Sequence, residues 1–482
     1  MAGDSLTMRK PLAAILAEAE DGEGPRLGRS LSALDLVALG VGATIGAGIF
    51  VITGTAAAQH AGPALPLSFV LSGLACALVA LCYAELAALV PAPGSTYTYA
   101  YATLGELCAW IIGWDLVLEF AVAAATVAVG WSGYVRSLLA DLGLHLPGVL
   151  TAAPGTALPG GTTAWFDLPA AAIVLGLTGL LMRGNRASAR VNAALVAIKV
   201  AIILAFIGIG AAHVDPALWS PLIPQNTGTF GEFGWSGILR GAGLVFFAFL
   251  GFETVSTAAA ETRHPQRDAP IGLLGSLAVT TVLYVAVATI LTGLVPYRQL
   301  DVADPIAKAM DAIGFGAFSV AIKVGAILGL TTAALTALYG QARVFYAMAR
   351  DGLLPPVFAR VHPGTRVPAA SQAVIGAATA VIAALVPIRV LGELVSIGTL
   401  FAFGVICAAV LILRRTDPER PRPFRAPGVP VVPILGILTC LALMLGLPGD
   451  TWLRLAAWLG LGLALYFGYG RRQARRVRAA VV

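Results

Sequence analysis

The sequence predicts an all-α polytopic membrane protein, and three observations carry that expectation. Of its 482 residues 58% are hydrophobic and 12% charged, with a mean hydropathy of +0.86; a soluble domain carries roughly 25% charge. The apolar residues form long continuous runs, without the strict alternation that a membrane β-barrel needs. Lys and Arg concentrate in alternate connections between those runs, the bias that orients helices threaded through a bilayer.

Twelve spans can be delimited. The first six cover 34–58, 66–90, 106–137, 169–183, 190–212 and 236–260. The second six cover 271–295, 318–349, 369–387, 391–413, 430–447 and 451–470. The third and eighth are longer than one crossing needs, which implies tilt or extension beyond the bilayer. With the N-terminus cytosolic, Arg9, Lys10, Arg183, Arg186, Arg263, Arg267 and the cluster Arg414, Arg415, Arg420, Arg422 and Arg425 all lie inside, as do the arginines after Arg471. The outer connections hold Arg136, Arg298, Lys308, Arg389 and Arg454. Both termini are therefore expected in the cytosol. The chain divides into a cytosolic tail (1–30), five spans (31–212), a second five (236–413), two peripheral spans (430–470) and a basic cytosolic tail (471–482). Residues 1–30 are acidic around Glu18, Glu20, Asp21 and Glu23 and have no apolar core, so they read as a tail and not as a signal peptide.

The first span contains GVGATIGAGIF (40–50). Glycine inside a helix costs roughly 0.8–1 kcal/mol relative to alanine, so Gly40, Gly42, Gly46 and Gly48 point to a helix that breaks. A small-residue packing face is the alternative. The sixth span repeats the feature in GAGLVFFAFLGFETVSTAAAE (241–261), with Gly251 beside the ionisable Glu253. Here the plainer alternative is a glycine that lets a neighbouring helix approach. Two interruptions at matching positions of two five-span halves are the sequence pointer to an inverted-repeat transporter, with a small zwitterion bound at the bare backbone ends.

Several separate motifs now match one family. They are GVGATIGAGIFVITG (40–54), VNAALVAIKVAIILAFI (191–207), FFAFLGFETVST (246–257), HPQRDAPIG (264–272), GLTTAALTALYGQARVFYAMARDGLLP (329–355), LVSIGTLFAF (394–403) and RPFRAPGVPVVP (422–433). The chain resembles the amino acid–polyamine–organocation superfamily, and within it a bacterial member of the cationic amino acid transporter family. That resemblance implies a LeuT-type fold, a 5+5 inverted repeat with spans one and six broken and two peripheral spans, in the cell (inner) membrane. It implies alternating-access transport of amino acids. Two departures are Glu253, where the family more often has Asp, and AAAE at 258–261, where an acidic pair is commoner.

An amino acid presents a carboxylate and an ammonium. The carboxylate suits the free amides at a helix N-terminus, here Gly46, Ala47 and Gly48. The ammonium suits carbonyls at a C-terminal helix end: Thr44 and Ile45 in span one, Phe247, Ala248 and Leu250 in span six. Phe247 and Phe249 are expected to wall the site, although Phe249 also fits an ordinary core position. Lys199 is a functional candidate because a lysine near a span centre costs at least about 2.5–3.5 kcal/mol. Arg190 marks the span's cytosolic end, and nine residues put Lys199 about 13 Å from it, beyond comfortable snorkelling. The resemblance places Lys199 where sodium-coupled relatives hold a sodium ion between spans one and eight, with Thr331 and Thr332 as neighbouring hydroxyls. Its ammonium would stand in for that ion, and its proton becomes a candidate for the one that moves. Glu119 and Asp115 share a face of span three. Glu119 matches an acidic position of the family and joins Glu253 as a candidate proton carrier, with a structural role for the pair as the alternative.

The leading expectation is a proton-coupled secondary active amino acid transporter. The alternatives are an exchanger without net ion coupling and a transporter-like amino acid sensor. Partners expected are the amino acid, the proton and the bilayer, and no nucleic acid. No enzyme motif of the His-Glu-x-x-His or Gly-x-Ser-x-Gly kind appears, so no enzyme and no cofactor is expected. No metal site is expected either: the five cysteines lie in apolar runs and the five histidines at span ends or loops.

Overall fold

The computed structural model describes residues 8–10, 31–89, 95–158, 161–184, 189–258, 262, 264–362, 365 and 367–479. Most of the tail expected over 1–30 lies outside these residues, as do Arg186, Arg263, Arg366, Glu261 and the last three residues. Among the described residues every regular element is helical; Leu31–Thr262, Thr151–Asp167 and Ala157–Thr163 form isolated bridges only.

Each of the twelve apolar segments contains helix. Segment one begins at Ala33 behind a capping box: the Asp35 amide donates to Ser32 Oγ (3.4 Å) and the Asp35 carboxylate accepts from the Ser32 amide (2.8 Å). It runs as Ala33–Thr44 and resumes over 48–61, and segment two follows as Leu65–Leu89. Segment three is the 36-residue helix Glu106–Asp141. Segment four, Leu168–Met182, starts where Asp167 accepts from the Ala170 amide and from Ser132 Oγ of segment three, at 3.0 and 2.6 Å. Segments five to ten follow as Ala189–Ala211, the broken run beginning Gly234–Val245, Pro265–Leu294, Gly316–Arg350, Ala369–Leu385 and Ile388–Thr416. Segments eleven and twelve are Val431–Gly446 and Gly449–Leu465.

Among the described residues seven helical runs are long and apolar enough to cross a membrane, and Val431–Gly446 with Gly449–Arg476 form a further pair bent by 115°. Ala33–Thr44, Leu168–Met182 and Ala369–Leu385 are apolar but shorter. Two helices lie in connections, Ser95–Thr103 and Pro305–Ala312. Neither is a long apolar run, so a search for bilayer-length stretches passes over both.

The packing pairs segments that are five apart. Segment two lies against seven, three against eight, four against nine, and the two breaks of one and six meet. Segment ten bridges two and three, and segment five bridges one, seven and eight. Segment seven also packs on segment one. Small residues make such approaches possible: a methyl at Gly275 would stand 2.8 Å from Val37 of segment one, and one at Gly73 would stand 2.8 Å from Thr281 of segment seven.

One buried ion network fastens segment two to the far end of segment ten. Glu85 is fully buried and takes both ends of the Arg414 guanidinium, at 2.9 and 2.7 Å. It also accepts the Ala426 amide at 2.8 Å and lies 3.2 Å from Arg422 Nε. The loop 417–430 is thereby wound around a single carboxylate. Neutralising one partner of a buried pair costs about 3–5 kcal/mol because the other charge stays behind. Glu85→Gln is therefore expected to lower the melting temperature of the detergent-solubilised protein markedly; an unchanged melting temperature would show that the network does not hold the fold.

Candidate substrate site

Segment one stops as a helix because Ile45 is extended (φ −71°, ψ 103°), and it restarts with a π-helical turn at Gly48–Ile52. Segment six passes from Gly234–Val245 into a tight turn at Phe246–Phe249, then opens at Leu250 (φ −58°, ψ 135°). Gly251 follows with φ 113°, a conformation that favours glycine, before the helix restarts at Thr254–Ala258. The two breaks lie on each other. A methyl at Gly251 would stand 2.8 Å from the Ala43 carbonyl, and one at Gly48 would stand 2.5 Å from Ala248 Cβ.

A helix end leaves its last carbonyls unpaired, and here two side chains from other segments take them. Thr44 Oγ1 turns back inside the helix and donates to the Gly40 carbonyl at 2.7 Å. Lys199 Nζ donates to the carbonyls of Gly42 and Ile45, each at 3.0 Å. The Tyr284 hydroxyl, from segment seven, donates to the Thr44 carbonyl at 2.9 Å. The carbonyls of Thr44 and Ile45, which the sequence reading reserved for a substrate ammonium, thus already accept from Tyr284 and Lys199. In segment six the Phe247 carbonyl accepts from the Leu250 amide at 3.1 Å. That leaves Ala248 and Leu250, of the expected set, as carbonyls beyond the last turn.

On the other side of the break, Gly46, Ala47 and Gly48 precede the first backbone bond of the restarted helix, Phe50 N–H to the Gly46 carbonyl at 3.3 Å. Their amides therefore have no carbonyl one turn earlier to bond. The Tyr134 hydroxyl donates to the Phe50 carbonyl at 2.9 Å and holds this turn against segment three. Gly46 has its open side toward segment eight, where an added methyl would meet Ala333 Cβ at an ordinary 3.8 Å.

Lys199 is 2% exposed, and its stem lies on Gly329 of segment eight, where an added methyl would come within 2.9 Å of Cγ. Thr331 and Thr332 are not its hydrogen-bond partners. Thr331 Oγ1 donates to the Ile327 carbonyl and accepts from Trp131 Nε1, while Thr332 Oγ1 donates to Gly329. Each threonine hydroxyl has an acceptor one turn back in its own helix, which is why neither turns to the lysine. Glu253 accepts the Gly251 amide with both oxygens (2.9 and 3.2 Å), so it caps the break in segment six. Glu119 is buried, within electrostatic reach of Glu253 and Asp115. Phe249 stacks edge-on with Phe69 and Tyr284, at 6.3 and 5.4 Å between centroids, so it braces the core toward segments two and seven.

Contacts between segments flank the break toward both ends. Toward the Asp141 end, Asp301 accepts from Thr55 and Gln59 of segment one, at 3.0 and 2.7 Å. Lys323, near the start of segment eight, is buried and pairs with Asp141 at 2.6 Å. Toward the Glu106 end, Tyr83, Phe252 and Phe403 meet ring to ring at 5.5 to 6.3 Å. Among the described residues no group of His, Cys, Asp or Glu could hold a metal.

The close approach of Gly48 to Ala248 separates two substitutions. Gly48→Ala is expected to weaken substrate binding at least tenfold, because the methyl must push the two breaks apart. Gly46→Ala should insert and fold as wild type, and Gly46→Val, reaching into the open side, should lose binding. Equal affinities for wild type, Gly48→Ala and Gly46→Val by scintillation proximity binding would show that segment one is an ordinary packed helix.

The sequence profile of the amino acid permease family matches residues 31–452. The chain is 48% identical over 470 residues to a methylthioribose transporter of Bacillus subtilis, covering 98% of this chain and 99% of that protein. It is 48% identical over 450 residues to the branched-chain amino acid permease BcaP of the same organism, covering 93% and 94%. Cationic amino acid transporter 4, vacuolar, of Arabidopsis thaliana is 39% identical over 419 residues, covering 86% of this chain and 68% of that protein. With the family profile spanning most of its length and such relatives along nearly all of it, the chain belongs to the amino acid permeases of the amino acid–polyamine–organocation superfamily, transporters and not enzymes.

Proposed function

We propose that this permease is a secondary active transporter that carries amino acids into the cytosol with protons, by alternating access across the cell (inner) membrane. The observation that supports this reading best is the seat of Lys199. Its ammonium lies between segments one and eight and bonds two carbonyls of the broken helix at 3.0 Å, a position where a bound metal cation could otherwise satisfy the same oxygens. A lysine differs from such a cation in one respect that matters: it can lose its charge by giving up a proton. Loss of that charge would weaken the hold on the Gly42 and Ile45 carbonyls and so alter the break where the substrate binds. The pairing of segments five apart supports the inverted-repeat reading with twelve spans and both termini inside. The contacts that flank the break on either side are the expected gates of an enclosed state.

The cargo is proposed to be an amino acid with an uncharged side chain. Glu253, the ionisable side chain within the segment-six break, is already engaged by the Gly251 amide. A cationic side chain would need a free carboxylate there. The branched-chain permease and the methylthioribose transporter, both at 48% identity, are named for cargoes with no charged side chain. Unlabelled leucine, isoleucine and valine are expected to displace a labelled neutral substrate from proteoliposomes, and arginine and lysine are not; displacement by arginine at equal concentration would reverse the assignment.

Energy coupling is tested in the same vesicles. Uptake should be indifferent to replacing sodium by potassium or choline and should rise when an inward proton gradient is imposed. Lys199→Ala leaves two buried carbonyls unpaired, each worth about 1–3 kcal/mol, and should lose pH-driven accumulation with weakened binding. Lys199→Arg should fail as well, because a guanidinium keeps its proton. A strict sodium requirement, or full pH-driven accumulation by Lys199→Arg, would remove lysine deprotonation as the coupling step.

A further inference from the structure

We propose that Asp115 is the station through which the coupled proton leaves the protein for the cytosol, taking it from Glu119. The inference rests on the proton-coupled reading above and adds to it a residue and a direction.

Asp115 is fully buried in the helix Glu106–Asp141, and among the described residues neither of its carboxyl oxygens has a hydrogen-bond partner. The structural carboxylates of this molecule look different. Glu85 is held by two arginines and an amide, Asp167 by Ser132 and the Ala170 amide, and Glu253 by Gly251. Asp115 has neither a cap to make nor a charge to meet. As a carboxylate it would be an uncompensated buried charge; as an acid it carries no charge and one O–H to give. A group with those two faces suits proton transfer and not scaffolding.

Its placement supplies the direction. Asp115 and Glu119 are four residues apart on one helix face, about 6 Å along the axis. Glu119 in turn lies within electrostatic reach of Glu253, at the segment-six break. Asp115 is the member nearest the Glu106 end, which the arginine distribution places on the cytosolic side. Opposite it segment ten presents Gly398, where an added methyl would stand 3.1 Å from Oδ1 and 3.7 Å from Oδ2. The missing side chain keeps space at the carboxyl.

Of the other titratable groups on the packed elements, Tyr99 lies edge-on to Tyr83 at 5.8 Å between centroids, its hydroxyl without a partner among the described residues, and the following are engaged elsewhere. Tyr97 bonds Asp351 and Tyr101 lies with Glu106, Lys323 pairs with Asp141 at the opposite end, and Glu393 of segment ten bonds Thr451. Gln341 of segment eight donates to the Val117 carbonyl. Glu119 is the titratable side chain that faces Asp115. In the cytosol-open state the acid form of Asp115 gives its proton to water arriving from that side and becomes a carboxylate. It then takes the proton of Glu119. Asp115 ends as it began, and Glu119 is left ionised, to be reloaded from outside.

The test compares proton-driven accumulation with substrate counterflow in proteoliposomes of wild type, Asp115→Asn, Asp115→Glu and Gly398→Ala. Asp115→Asn is expected to lower accumulation under an inward proton gradient at least tenfold and counterflow less than twofold. Asp115→Glu, which keeps a carboxyl, should restore at least half of the accumulation. Gly398→Ala, which crowds the carboxyl from segment ten, should lower accumulation selectively and serves even if the asparagine variant does not fold. Should wild type respond to the gradient while Asp115→Asn and Gly398→Ala accumulate as it does, the assignment to Asp115 is wrong and proton coupling stands. Equal loss of accumulation and counterflow in these variants would make Asp115 structural. A wild type indifferent to the gradient would overturn both readings.

Discussion

A helix broken inside a membrane leaves carbonyls that neither water nor lipid can satisfy, and the architecture here depends on how those of segment one are met. An unsatisfied polar group in hydrocarbon costs several kcal/mol, so the break at Ile45 is tolerable only with donors built around it. Lys199 from segment five and Tyr284 from segment seven supply them. The positions of segments five and seven are thereby tied to the end of Ala33–Thr44. A small shift of either helix must break one of these bonds or carry the broken end along with it.

The second break is met differently. Gly251 takes a left-handed conformation, and the Glu253 carboxylate folds back onto its amide, so segment six caps itself with its own side chain. The two solutions are complementary. One break is held from outside its helix by a cation and a phenol, the other from within by an anion, and the two lie in contact through Gly48 and Ala248. Their close approach requires glycine or alanine on both faces, and the surrounding aromatic rings, Phe249 against Phe69 and Tyr284, fill the volume behind.

Much of this was legible in the residues. Four glycines within nine positions of an apolar run announce a break because no ordinary helix tolerates their summed cost, and Gly251 beside Glu253 announces the second. Lys199 stood out because an ammonium in hydrocarbon must have a partner. Its seat against segment one followed from the family resemblance, but which carbonyls it meets was not legible: Gly42 and Ile45 lie more than 150 residues away in sequence, and the threonines suggested beside it satisfy themselves in their own helix. Tyr284 was missed because a tyrosine in an apolar run looks the same whichever way its hydroxyl points. The ion pair of Lys323 was not legible, since Asp141 lies at the far end of another segment. The helices Ser95–Thr103 and Pro305–Ala312 carry too few apolar residues in a row to register as spans.

The sequence by itself determined the class, the helical segments and the two places where helix must stop, because hydropathy, charge bias and glycine content are properties of the local chain. Only the tertiary structure decided which groups close the broken ends, which aromatic rings line the core and which carboxyls remain unpartnered, as Asp115 does. Those outcomes depend on the rotation of each helix about its axis. That rotation is set by packing between segments five apart, and no single segment carries the information that fixes it.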